Sequence, residues 1–369
     1  MDVNLTRRQI LLASAIAGAG ISFPRVAFAA GQQKRFVFVL QRGAADGLSL
    51  VQPHGDPALR ALRERLVDED ARPLDGFFAL HPALEQTAAM FASGEARAWH
   101  AVATGYRARS HFDAQNVLES GHAEPYASDT GWLGRLLPLL PGTPGALALS
   151  AAVPLTLRGS LPVGTYAPSR LPDPSEDLLA RVAMLYGEDA QLGPLWEEAM
   201  RTRMVASDIG ENAGRNGQQV GELASSLMMA DRGPRVMMVE TGGWDTHQAQ
   251  PARLATQLRG LDGLLGALRT GLGDAWRDTL VLVATEFGRT AAINGSLGTD
   301  HGTASAALLL GGGLPPGDKV IADWPGLGAA QLHQNRDLRP TGDLLALATG
   351  AVADHFGINR DRALAALRG

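Results

Sequence analysis

The sequence contains no cysteine. That removes disulfides, thiolate nucleophiles, cysteine-ligated zinc, iron–sulfur clusters and any catalytic aldehyde made from cysteine. Aromatic residues are scarce, at 5% of 369 positions, and no run of lysine and arginine occurs, the net charge being −5. A nucleic-acid or anionic-membrane surface is therefore not expected. Familiar signatures are missing too: no G-x-S-x-G elbow, no H-E-x-x-H, no phosphate-binding loop and no complete G-x-G-x-x-G after a strand. The triplet Gly311-Gly312-Gly313 follows a strand pattern but lacks that fingerprint.

What is present begins with Thr6-Arg7-Arg8, an apolar small-residue run from Ile10 to about Phe23, and then Ala27-Phe28-Ala29. Charged start, short apolar middle and small residues at a cut are the order of a secretory signal, and paired arginines mark the twin-arginine route. The run is shorter than the about 20 residues of a spanning helix. Residues 1–29 are thus expected to be a cleaved signal handled by the twin-arginine translocase, leaving 30–369 periplasmic or secreted, with no stable membrane insertion after cleavage.

In the remainder, Phe36–Leu40, Ala96–Val102, Ala146–Leu149, Val236–Val239, Leu280–Ala284 and Ala304–Leu310 read as buried strands. Leu254, Leu258, Leu261, Leu265, Leu268 and Leu272 form one helical stripe; Leu84, Ala88 and Phe91 keep the same spacing. The stretch 174–231 reads as almost wholly helical, an insertion without chemical signal. Leu344–Phe356 reads as a helix capped by Thr341 or by Gly342-Asp343. Strands alternating with helices predict an α/β fold with a parallel sheet covered on both faces, and sites at the carboxyl ends of its strands.

Polar clusters sit at those ends. Asp46 follows the first strand. Asp245 and His247, two apart in a glycine-preceded turn, can point at one ion, and carboxylate oxygen with neutral imidazole suits zinc or manganese; Asp245 would otherwise cap a helix. Asp300-His301, flanked by glycines, is a second such pair. Glu286 closes an apolar strand and needs a partner there, either an ion or Arg289. Ser110 stands at a helix start, as an N-cap or as a nucleophile beside the anion-attracting N–H groups, with Arg107, Arg109 and His111 adding positive charge. A Ser110–His111 esterase is disfavoured because adjacent helical side chains diverge by about 100°.

Six segments together carry a resemblance: Leu40-Gln41-Arg42-Gly43-Ala44-Ala45-Asp46-Gly47-Leu48-Ser49; Tyr106-Arg107-Ala108-Arg109-Ser110-His111-Phe112-Asp113-Ala114-Gln115; Thr241-Gly242-Gly243-Trp244-Asp245-Thr246-His247; Thr285-Glu286-Phe287-Gly288-Arg289-Thr290; Asp300-His301-Gly302-Thr303; and Leu338-Arg339-Pro340-Thr341-Gly342-Asp343-Leu344. They run in order over nearly the whole mature chain. The chain resembles the secreted bacterial family known as domain of unknown function 1501, itself similar to the alkaline phosphatase and sulfatase superfamily. The resemblance implies a mixed, mostly parallel sheet sandwiched between helices and a metal-dependent hydrolase of phosphate or sulfate esters, with a small anionic ester as substrate.

By position, it implies that Asp245, His247 and His301 hold one divalent ion, zinc or manganese. It implies that Asp46 and Glu286 hold a second or weaker one, that Ser110 is the nucleophile, and that Arg109 and Arg289 neutralise oxyanions. The departures are specific. Asp46 lies several residues past its strand, and Phe287 follows Glu286 where the superfamily has a histidine, so Asp300 or His111 would have to fill that place. The alternative, from a different class, is an exported scaffold or accessory protein with a degenerate metal site.

Overall fold

Strand β1 (Arg35–Gln41) shows how the sequence builds the core. Its alternating side chains divide between two apolar layers: Val37 and Val39 face one, Phe36, Phe38 and Leu40 the other. A strand buried on both faces reads as a continuous apolar run. The computed structural model describes residues 34–142, 144–167, 176–186 and 216–368, with isolated positions between 189 and 200. Lys34–Gly369 is one compact unit; the expected signal at 1–29 lies outside the described residues.

Eight further strands complete the sheet: β2 (Ala96–Ala103), β3 (Ala146–Leu149), β4 (Gly164–Thr165), β5 (Val236–Thr241), β6 (Thr279–Thr285), β7 (Ser305–Leu310), β8 (Val320–Ile321) and β9 (Gly342–Asp343). Their order is β8-β2-β7-β6-β1-β5-β3-β4, with β9 beside β2. β1 pairs in parallel with β5 and β6, placing Leu40 opposite Glu240 and Ala284. Only β7 runs against its neighbours, antiparallel to β2 and β6. The sheet is mixed and mostly parallel, with helices on both faces, the fold class expected.

The reversal of β7 matters for the site. Its beginning, rather than its end, lies at the carboxyl edge of the parallel strands, so the Asp300-His301 loop reaches the same edge as the loops after β1, β2, β5 and β6.

Helices α1 (Glu85–Ala92), α3 (Gly217–Met229) and α4 (Gln250–Leu272) cover one face, burying the Leu254–Leu272 stripe on Val37, Met237 and Val281. The expected insertion is corrected here. Glu176–Tyr186 is helical, but α3, with Leu223, Ala224 and Leu227 in the core, is part of the layer itself; most of 187–215 lies outside the described residues. Helix α5 (Leu344–Phe356) covers the opposite face. Its cap is Asp343, which accepts from the backbone N–H of Leu345 and Ala346. Helix α2 (His111–Ser120) follows β2 and starts at the site edge.

Candidate metal centre

Three imidazoles and one carboxylate meet at the carboxyl edge. Nε2 of His301 lies 3.0 Å from Nε2 of His111 and 2.9 Å from Nε2 of His247. An Asp245 oxygen is 3.0 Å from Nε2 of His247 and 3.3 Å from Nε2 of His301, and the other is 3.6 Å from Nε2 of His111. Ligand atoms of His111, Asp245 and His301 all fall within 4.8 Å of one another.

The outer nitrogens explain why these rings face inward. Nδ1 of His111 is 2.8 Å from Glu286 Oε1, Nδ1 of His247 is 3.2 Å from Asp300 Oδ1, and Nδ1 of His301 is 3.1 Å from the Arg109 carbonyl oxygen. Ionised carboxylates and carbonyls only accept, so each Nδ1 carries the hydrogen and donates it. In the neutral rings this leaves the His301 Nε2 lone pair facing that of His111 at 3.0 Å and that of His247 at 2.9 Å. Such a contact is repulsive until a proton or a metal cation stands between the nitrogens, and imidazoles anchored through the outer nitrogen to a carboxylate or carbonyl are the normal support of a metal ligand. The donor set, three imidazoles and a carboxylate, fits zinc or manganese.

Glu286 is fully buried and holds three donors on one oxygen: His111 Nδ1, Gln115 Nε2 at 3.0 Å and the Gly43 N–H at 2.9 Å. Burial pushes its carboxyl up, but those hydrogen bonds outweigh it and leave the group below the usual range. The same contact raises His111 against the opposing effect of burial. His301 is lowered, first by burial and then by the His111 charge. At Asp245 burial also acts upward, and the Arg289 guanidinium more than reverses it.

Several expected roles are corrected. Asp46 is not at the cluster: its buried carboxylate pairs with Arg63 at 2.9 Å and accepts from Ser49 and Gln250. Glu286 and Asp300 orient His111 and His247 instead of joining the inward-facing set. Arg289 does not pair with Glu286; its Nη1 donates to Asp245 at 2.6 Å, and its other nitrogens to the Thr299 hydroxyl and carbonyl. Arg109 is held through Nε and Nη2 by Asp337, at 2.6 Å at the closer contact, so both expected oxyanion partners are engaged with carboxylates. His111, expected to add positive charge beside the nucleophile Ser110 or to fill the missing ligand place, stands among the inward-facing imidazoles. Ser110 occupies the N-cap position of α2 without its hydroxyl capping the helix. Asp245 caps nothing, since α4 begins at Gln250.

Two loops must nearly touch to bring Arg289 beside His301. Gly302 N–H donates to the Gly288 carbonyl at 2.8 Å, and Gly288 N–H to that of Thr303 at 2.9 Å. A Cβ on Gly288 would sit 1.8 Å from the Ala304 oxygen, and one on Gly302 2.4 Å from the Arg289 carbonyl, so both must be glycine.

The family described as protein of unknown function (DUF1501) matches residues 33–367. The chain belongs to that family. No curated protein matches it. Several solved structures align with this DUF1501 chain at low identity. The lipoteichoic acid synthase LtaP from Listeria monocytogenes aligns with 10% identity over 95% of this chain and 78% of its own, at a TM-score of 0.43. An alkaline phosphatase superfamily protein from Vibrio parahaemolyticus aligns with 13% identity over 96% and 76%, at 0.40. The C-terminal periplasmic domain of EptC from Escherichia coli, a complex with zinc, aligns with 8% identity over 75% and 73%, at 0.37.

Sequence reasoning missed the supporting residues of this DUF1501 site. Gln250, Thr299 and Asn294, whose Nδ2 donates to the His247 carbonyl and to Asp300 Oδ1, carry no motif of their own. Gln115 closes one of the six segments, and its spacing of one helical turn after His111, which puts two side chains on one face, was the signal for its role.

Proposed function

We propose that this protein binds one divalent cation, zinc or manganese, on His111, His247, His301 and Asp245, and hydrolyses a phosphate or sulfate ester outside the cytoplasm. The observation carrying the reading is His301 Nε2 facing both His111 Nε2 and His247 Nε2 at about 3 Å, each of the three rings being held from behind by an acceptor. Neither burial nor fold stability calls for such an array. When bound, the cation supplies the positive charge that draws in an anionic ester and polarises its oxygen.

The chain's own residues do the rest. Glu286 keeps the Nδ1 hydrogen on His111 and so keeps Nε2 turned inward. Asp300 and the Arg109 carbonyl do the same for His247 and His301. Arg289 takes one side of Asp245 Oδ1 and fixes the carboxylate plane. Ser110, adjacent in sequence to His111 and at the positive end of α2, is the residue assigned to attack the ester. One ion, not two, follows from Asp46 being paired with Arg63 and from Glu286 being filled with donors.

Export rests on Arg7-Arg8, the apolar run and Ala27-Phe28-Ala29. Among the described residues no helix is long and apolar enough to cross a membrane.

A second reading, an exported metal-holding accessory protein without turnover, is favoured by one observation: both arginines expected at the substrate are engaged, Arg109 by Asp337 and Arg289 by Asp245 and Thr299. Assays with aryl phosphate and aryl sulfate esters, in zinc or manganese and in chelator, separate the two. Turnover lost in chelator and in Ser110→Ala supports the hydrolase. A bound ion without turnover of either ester supports the accessory protein.

A further inference from the structure

Two arginine–aspartate pairs flank the centre, and a single side chain joins them. Arg63 and Asp46 are both buried; Arg289 is buried, and its partner Asp245 is the carboxylate of the cluster. Between them lies Gln250, fully enclosed. Its Nε2 donates to Asp46 at 2.5 Å, while its Oε1 accepts from the Thr299 hydroxyl at 2.6 Å and from that of Thr246 at 3.0 Å. Thr299 Oγ1 then accepts from Arg289 Nε at 3.1 Å, and Arg289 Nη1 donates to Asp245. Arg63 closes the circuit by donating to the carbonyls of Thr290 and Ala291, the residues directly after Arg289.

This chain of bonds has a direction. An ionised Asp46 only accepts, so the Gln250 amide must turn its NH2 toward Asp46 and its oxygen toward the threonines. Thr299 therefore gives its hydrogen to Gln250 and keeps a lone pair for Arg289. That lone pair, with the Thr299 carbonyl, fixes the guanidinium, which fixes Asp245. We infer that Thr299 and Gln250 are positioning residues for the metal ligand Asp245, with the buried Asp46–Arg63 pair as their anchor. The inference rests on the metal reading above. It assigns Asp46 a part in metal binding without contact to the ion. Outer residues that aim a ligand contribute about 10–100-fold in metal affinity.

The test compares zinc affinity, by competition with a chromophoric chelator, and melting of the metal-free protein. Thr299→Val keeps the shape and removes the hydroxyl; Thr299→Ser returns it. Zinc binding is expected to weaken about 10–100-fold in T299V and to return to within about threefold of wild type in T299S. A purely structural role would lower the melting point of metal-free T299V and leave the zinc affinity of the folded protein unchanged; that result overturns the inference and leaves the metal reading standing. If T299V folds poorly, Gln250→Met breaks the chain one bond earlier and is expected to weaken zinc similarly, with unchanged affinity again overturning the inference. Wild type that binds neither zinc nor manganese overturns the metal reading, and the inference with it.

Discussion

Nε2 of His111 lies 3.0 Å from Nε2 of His301, while the opposite nitrogen of His111 rests 2.8 Å from a fully buried Glu286 oxygen. The carboxylate sets the tautomer, and the tautomer sets what the ring can hold. Replacing Glu286 by Gln keeps the volume and removes the charge that secures the Nδ1 hydrogen. Affinity for zinc is expected to fall about 10–100-fold in E286Q while the protein still folds. Competition titration of wild type and variant reads this directly; equal affinities would show that Glu286 does not orient the ligand.

The Asp46–Arg63 pair predicts an asymmetry in stability. Arg63→Met leaves the Asp46 carboxylate buried without its countercharge, at an expected cost of about 3–5 kcal/mol. Removing both charges, in D46N/R63M, is expected to cost less than R63M alone. Urea unfolding of the three proteins checks the order, and a double variant less stable than the single one would contradict it.

His100 predicts a pH dependence of stability. It is buried, its Nε2 donates to the Val51 carbonyl at 2.9 Å and its Nδ1 accepts the Ala101 N–H at 2.7 Å. Burial pushes it down to about 4, against the hydrogen bond to Val51. The folded state therefore keeps the ring neutral where the unfolded chain, with an ordinary value near 6.5, takes a proton. Stability from this group is complete above about pH 6.5 and is lost as pH falls toward 4, by up to about 1.4 kcal/mol per pH unit. His100→Gln can keep both hydrogen bonds without titrating. Urea midpoints at several pH values between 7 and 4.5 should fall less steeply in H100Q; parallel curves would rule out a neutral buried His100.

Export makes a cellular prediction. Changing Arg7 and Arg8 to Lys should leave an uncleaved precursor in the cytoplasm. A processed product still found outside would refute the twin-arginine assignment.

The strands were legible because a sheet covered on both faces leaves unbroken apolar runs, and the observed β1, β5 and β6 differ from the expected spans by two residues or fewer at either end. The edge where chemistry gathers was legible from the polar residues that end those runs. Partner choice was not. Glu286 and Arg289 are three apart, which suggests a local pair, yet the loop turns Arg289 toward Asp245, 44 residues earlier, and Glu286 toward His111, 175 residues earlier. Asp46 looked like a ligand because nothing in the spacing shows that Arg63, in a short helix, turns back onto it. Ligands and their orienting groups use the same residue types, and only distances tell His301 from Asp300.

Elemental analysis of protein purified without chelator bears most directly on the metal centre. One zinc or manganese ion per chain is expected in the wild type, and none in the His247→Ala, His301→Ala double variant. A wild type with no ion would contradict the centre built from His111, His247, His301 and Asp245, and a wild type with two would contradict the assignment of Asp46 to Arg63.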